Sequence, residues 1–215
     1  MELLPSVHLI KNIFVNQYLI TGQEGLLLID TGIGGNQSRI LNTMRSLGYQ
    51  PADLKQIVIT HADGDHYGSL AELKKATHAI TYAHAIEIKA IQSGGSSREL
   101  KPEGFQKLLF AIFRPMIKTQ PAAIECPLAG GESFNYLGGL EVILTPGHTP
   151  GHISLFASEK GILFAGDSIQ VVNGSPCPSA KGNTWDIEKA EESFQKQMDL
   201  KPTAILAGHG IWIKK

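Results

Sequence analysis

The segment Thr60-His61-Ala62-Asp63-Gly64-Asp65-His66 places two imidazoles and two carboxylates within positions 61–66, directly after the apolar run Gln56-Ile57-Val58-Ile59. Four such side chains on one turn repel one another or lie unpaired unless a cation or solvent compensates them, so the cluster reads as a metal site. Farther along, His148, Asp167 and His209 each follow an apolar strand-like run and a glycine. Together these residues supply enough donors for two ions.

The elements that must carry these donors read as strands feeding polar loops. Asn12 to Ile20 and Gly25 to Asp30 form two apolar runs joined by Thr21-Gly22-Gln23-Glu24, the pattern of a hairpin. From Asn36 to Leu47, Ile40, Leu41, Met44 and Leu47 recur at helical spacing and Gly48 supplies a stop. The strand that carries the metal cluster follows, then a helix over Ser69 to Ala76, a strand over Ala79 to Tyr82 and a helix over Ala85 to Ile91. A β-rich second half places strands at Leu140 to Leu144, Ile153 to Ala157, Gly161 to Ala165 and Ala204 to Ala207, with a helix over Asp186 to Met198 before the last. Two strand-rich halves, each with helices, suggest two packed sheets with outer helices in one domain spanning 1–215. The stretch of about 93–121 opens with Gly94-Gly95-Ser96-Ser97 and continues through Phe105, Leu108, Phe110, Phe113 and Met116. It is read as a core helix, a lid over the site or a homodimer face.

Composition narrows the partners. A chain of 215 residues with 42% hydrophobic residues, 18% charged residues and a formal charge of -1 is an ordinary globular protein without the basic excess that a phosphate backbone demands. Nucleic acid is not expected as a partner. No basic stretch followed by a long apolar run opens the chain and no run reaches the ~18 apolar residues of a membrane span, so a cytoplasmic protein with no membrane partner is expected. Cys126 and Cys177 each lie beside proline and are read as reduced thiols. His8, His78 and His84 have no ligand-like neighbours and are read as surface or packed residues, and Tyr67 as packing under the cluster. The Asn173 to Asn183 stretch looks mobile and, with Trp185, falls between Asp167 and His209.

Taken in order, Asp30-Thr31-Gly32, the 60–66 cluster, Thr145-Pro146-Gly147-His148-Thr149-Pro150-Gly151-His152, Gly166-Asp167 and Gly208-His209-Gly210 resemble the motifs of the metallo-β-lactamase-fold superfamily. The resemblance runs from residue 30 to residue 210. It implies an α/β (α+β) fold, an αββα sandwich of two mixed β-sheets flanked by helices, with a two-metal site on one edge. Carried over residue by residue, it implies that His61, Asp63 and His148 hold one ion and Asp65, His66 and His209 a second, with Asp167 bridging them. Asp30 and His152 are implied to orient or support these ligands rather than to bind metal, Asp30 having a turn cap as its other reading. The superfamily's first motif is usually His-x-His-x-Asp-His, and this chain departs from it at Asp63. An extra carboxylate hardens that half of the site, so zinc is the first expectation and iron or manganese are admitted.

Two divalent ions ~3.5 to 4 Å apart share a water, lower its pKa toward neutrality and stabilise an oxyanion as it forms. The resemblance thus implies a dinuclear metal-dependent hydrolase whose bridging hydroxide attacks an acyl or phosphoryl centre, with Asp65 orienting the nucleophile or passing a proton to the leaving group. The chain ends soon after His209, has no export signal and has no tyrosine between Asp167 and His209. Those features turn the expectation away from members with an added C-terminal domain, from exported β-lactamases and from lactonases with a catalytic tyrosine. A small-molecule ester, thioester, lactone or phosphoester remains. The alternatives are a di-iron redox enzyme, because flavodiiron-type proteins also place an acidic residue at the position of Asp63, and a non-catalytic metal-binding module.

Overall fold

The computed structural model describes residues 1–12, 15–98 and 119–214. Seven strands form the first sheet in chain order: β1 (Glu2–Leu4), β2 (Val7–Lys11), β3 (Asn16–Gly22), β4 (Gly25–Ile29), β5 (Leu54–Ile59), β6 (Ile80–His84) and β7 (Cys126–Leu128). The strands from β1 to β4 pair antiparallel and those from β4 to β7 pair parallel. The second sheet contains β8 (Ser133–Phe134), β9 (Leu140–Leu144), β10 (Ile153–Ala157), β11 (Ile162–Gly166), β14 (Ala204–Ala207) and β15 (Gly210–Ile213), in the order β15-β14-β11-β10-β9-β8. A separate hairpin pairs β12 (Ile169–Val172) with β13 (Ser175–Pro178).

Alternation along each strand explains the layers. In β4, Leu27 and Ile29 face the second sheet and pack with Tyr18, Val142, Leu155, Phe164 and Leu206, whereas Leu26 and Leu28 face the opposite way. That outer face is covered by α1 (Gln37–Ser46), α3 (Leu70–Thr77) and α4 (Ala85–Ser93), through Ile40, Met44, Leu70, Leu73 and Ile91. Because both faces are covered, β4 reads as the unbroken apolar run Leu26-Leu27-Leu28-Ile29 instead of an alternating one. Leu27 and Leu28 are both wholly buried, and each burial stabilises the fold by roughly 1.5–3 kcal/mol. The outer face of the second sheet carries Ile143, Leu163 and Ile205 against Phe194 and Met198 of α5 (Ile187–Asp199). Asp186 caps α5 by accepting from the Lys189 N–H at 3.1 Å. Gly48, at φ 85°, ends the turn that follows α1.

Two details differ from the sequence-based expectation. The run from Asn12 does not form one strand: the strand after it starts at Asn16, and β2 lies before it. Asn12 Oδ1 accepts from the Val15 N–H at 2.9 Å, which turns the chain between the two strands. The 173–183 stretch is ordered by β13 and a short 3-10 turn over Lys181–Asn183, its polar composition being that of a hairpin and not of a loose segment. The core, lid and dimer readings of 93–121 fall largely outside the described residues.

Candidate metal centre

Every donor singled out in the sequence lies at one edge of the sandwich, because each follows or precedes a strand whose relevant end points there. Asp30 follows β4, His61 follows β5, Asp167 follows β11 and His209 lies between β14 and β15. His148 follows β9 and His152 precedes β10, and the antiparallel pairing of these two strands returns both residues to the same edge. The one-turn helix α2 (Gly64–Tyr67) divides the cluster: the Asp63 carbonyl accepts from the His66 and Tyr67 N–H groups at 2.9 and 3.2 Å, which swings Asp65 and His66 away from His61 and Asp63.

Two donor triads result, and a third group, His61, His66 and Asp167, overlaps both. His61, Asp63 and His148 form one, with His61 Nε2 and His148 Nε2 at 3.6 and 3.2 Å from Asp63 Oδ2. Asp65, His66 and His209 form the other, with Asp65 Oδ2 at 4.0 and 3.8 Å from the two Nε2 atoms. Asp167 lies between them: Oδ1 is 3.3 Å from His66 Nε2, and Oδ2 is 3.2 Å from His209 Nε2 and 3.6 Å from His148 Nε2. His61 Nε2, His66 Nε2 and Asp167 Oδ1 are buried and have no hydrogen-bond partner. His66 and Asp167 are near each other without bonding, so these atoms converge on a shared space instead of satisfying one another. Orphaned buried nitrogen and oxygen donors in that arrangement fit divalent metal ions.

Partners outside the triads set the orientation of the ligands. Asp30, at φ 58°, points its carboxylate back over the strand end. Its Oδ2 lies 2.7 Å from His66 Nδ1, while Oδ1 accepts from the Thr60 N–H at 2.8 Å. His148 Nδ1 lies 2.8 Å from Ser179 Oγ. The Asp167 N–H donates to His152 Nε2 at 3.0 Å, so the proton of that neutral ring belongs on Nδ1, 2.8 Å from Thr145 Oγ1. His152 is thus placed to hold the loop of Asp167, while its ring lies against those of His61 and His148, with centroids 5.0 and 6.0 Å away.

Charge follows geometry. Burial opposes ionisation of Asp63, but the hydrogen bond with His148, the nearby His61 imidazole and the charge of Arg98 outweigh it and hold the carboxyl well below its ordinary range. Burial likewise disfavours the Asp167 anion, and the charges of His66 and His209 reverse the balance. Around His66, burial is overcome by the charges of Asp167, Asp30 and Asp65, which raise its pKa well above the usual value. His209 is raised chiefly by Asp167. His152 is pushed well down by burial, with the charges of His61 and His148 adding to the effect.

Other residues read from the sequence occupy plain structural positions. Tyr67 is wholly buried and donates to the Gly95 carbonyl at 2.6 Å. His84 Nδ1 accepts from the Ile86 N–H at 3.3 Å and caps α4. Cys126 and Cys177 are free thiols.

Four contributors have no signal in the ligand motifs. Glu87, wholly buried in α4, accepts from the Ala62 and Gly151 N–H groups, both at 2.8 Å, and ties two ligand loops together. A single acid inside the apolar run Ala85-Ile86-Glu87-Ile88 was the available hint. Asn16 and Tyr18 hold the Ala207 carbonyl at 3.1 and 2.6 Å, fixing the strand end before His209. Arg98 is the fourth: its guanidinium enters the first triad, pairing with Asp63 and lying 3.1 Å from His148 Nε2.

The two-sheet architecture and the edge-bound His/Asp cluster define a metallo-hydrolase fold, and the family model described as the metallo-beta-lactamase superfamily matches residues 11–209. The chain belongs to that superfamily. It is 32% identical to the uncharacterized protein YobT of Bacillus subtilis over 93% of this chain and 84% of that one. To the "Probable metallo-hydrolase YflN" of the same organism it is 29% identical, over 98% of this chain and 86% of the relative. Among solved structures it is similar to the metallo-beta-lactamase family protein TTHA1429 of Thermus thermophilus, with a TM-score of 0.75 and 26% identity over 99% of this chain and 76% of that one. Among the described residues, no helix is long and apolar enough to cross a membrane.

Proposed function

We propose that this protein is a dinuclear metal-dependent hydrolase of a small ester, thioester, lactone or phosphoester. One observation carries the reading: His61 Nε2, His66 Nε2 and Asp167 Oδ1 are buried and unpartnered between two further donor sets that share one sheet edge. His61, Asp63 and His148 would hold one ion and Asp65, His66 and His209 the other, with Asp167 facing both. When bound, such ions lower the pKa of a shared water and take up negative charge on a substrate oxygen.

The chain's own residues divide the remaining work by exposure. The His61, His66 and His148 side chains are 0–2% exposed, so they anchor. Asp65 and His209, at 22% and 45%, form the open side from which a small molecule approaches. Asp65 is the carboxylate placed there to hold or pass a proton, since one of its oxygens reaches toward His66 and His209 while its side chain meets solvent. Zinc is the proposed metal, and the Asp63 carboxylate also suits iron or manganese.

The test is metal analysis of protein purified without added metal, paired with a panel of ester, thioester, lactone and phosphodiester substrates. Stoichiometric zinc or manganese with hydrolysis of one class is expected. Iron with oxygen-linked turnover and no hydrolysis would overturn the reading in favour of redox chemistry.

A further inference from the structure

Arg98 reaches into the first triad from its Asp63 and His148 side and leaves His61 Nε2 without a partner. Its side chain is 1% exposed, and Nη2 pairs with Asp63 Oδ2 while lying 3.1 Å from His148 Nε2. The head group is anchored from the far side by Asn183, whose carbonyl accepts from Nη1 at 2.7 Å and whose Oδ1 accepts from Nη2 at 3.1 Å. Ser96 Oγ donates to the other Asp63 oxygen at 3.0 Å, so residues 96 and 98 engage both oxygens of that carboxylate. The second triad has no such occupant among the described residues. Its cationic neighbours are histidines, and His66 Nε2 is unpartnered.

We propose that Arg98 is a built-in occupant of the first metal half-site, so that the ions load in order: the Asp65, His66, His209 and Asp167 set fills first, and His61, Asp63 and His148 accept an ion only as the guanidinium leaves Asp63. This rests on the two-metal reading above. A divalent ion on the Asp63 and His148 side of this triad would lie at contact distance from Arg98 Nη2, which pairs with Asp63 Oδ2 and is 3.1 Å from His148 Nε2, and two cations so close, largely shielded from solvent, repel. Asp63 thereby acquires a reason to be a carboxylate. An imidazole at this position would offer arginine no anion, whereas the planar guanidinium bonds readily to a carboxylate and keeps its charge at every working pH.

The inference is tested on metal-free protein titrated with Zn(II) and, for its visible spectrum, Co(II), reading stepwise affinities instead of turnover. Wild type should bind one equivalent tightly and the second at least about tenfold more weakly, in the range by which neighbouring groups tune metal sites. Arg98→Met should tighten the second step about tenfold or more and leave the first unchanged. Asn183→Ala removes only one exposed anchor of the arginine and should shift the second step in the same direction by less. It keeps the test open if Arg98→Met folds poorly. In an Asp63→His background, Arg98→Met should lose its effect on the second step, because the arginine has no anion to hold it.

Two equally tight equivalents in wild type, or a second step that neither variant moves, would overturn the inference and leave the hydrolase reading standing. Ordered loading without hydrolysis of any substrate class would do the reverse. Failure of wild type and variants to bind either metal would overturn both.

Discussion

Asp30 Oδ2 lies 2.7 Å from His66 Nδ1, across a separation of 36 residues, and both side chains are almost fully buried. The contact fixes which imidazole nitrogen is free, since a proton on Nδ1 directed at the carboxylate leaves Nε2 as the metal-facing atom. The same carboxylate accepts from the Thr60 N–H, so it also joins the ends of β4 and β5. Asp30→Asn keeps the shape and removes the charge. It should weaken the tighter metal step by roughly 10–100-fold, as measured by competition with a chelator.

Asp167 faces histidines of both triads, and its substitution should be felt at both. Asp167→Ala is expected to abolish binding of one or both ions, whereas His84→Ala should leave metal content unchanged and cost about 1 kcal/mol through loss of the α4 cap. Elemental analysis after dialysis reads the first effect and thermal melting the second. The opposite pattern would mean the ligands are wrongly assigned.

Glu87 acts through the backbone of the ligand loops. Removing its carboxylate strands the buried Ala62 and Gly151 N–H groups, each at a cost of roughly 1–3 kcal/mol, so Glu87→Ala should lower unfolding stability by about 2–6 kcal/mol in denaturant. A loss near zero would show that solvent replaces it.

His152 gives a pH signature in metal-free protein. Its folded pKa lies well below the ordinary value, first because of burial, so the unfolded chain takes up a proton that the folded chain refuses. The associated stability is fully present above a pH of about 6.5 and is lost as pH falls from there toward the folded value. His152→Gln, although less stable at pH 7.5, should therefore lose less stability than wild type on moving to pH 5.5. Equal losses in the two proteins would rule this histidine out as a source of acid sensitivity.

Close packing at Gly208 offers a test of the ligand cradle. A Cβ there would collide with Asp167 Oδ1 and come within 2.8 Å of His66 Cε1. Gly208→Ala should displace Asp167 and His66 and lower metal affinity by roughly 10–100-fold while the rest of the fold melts cooperatively. Unchanged affinity would indicate that the loop moves aside.

The types and order of the candidate ligands were legible in the chain because each lies beside an apolar strand run, often next to a glycine, and short-range patterning reports strand ends well. His61, Asp63, Asp65, His66, His148, Asp167 and His209 all came from that rule, together with the helices over α1, α3 and α5. The β12 and β13 hairpin escaped it because its strands are short and partly polar, with Pro176 and Pro178 inside β13. The family resemblance already implied which donors share a triad, and only the tertiary structure decided what supports them. Glu87 meets Gly151 across 64 residues, Asn16 meets the strand before His209 across 191, and Arg98 reaches His148 across 50. Such contacts depend on where parallel and antiparallel pairing brings distant strand ends together, and they leave no periodicity in the sequence. Asp63, read from the chain as a departure that hardens one half of the site, acquired its partner only when the fold laid Arg98 against it.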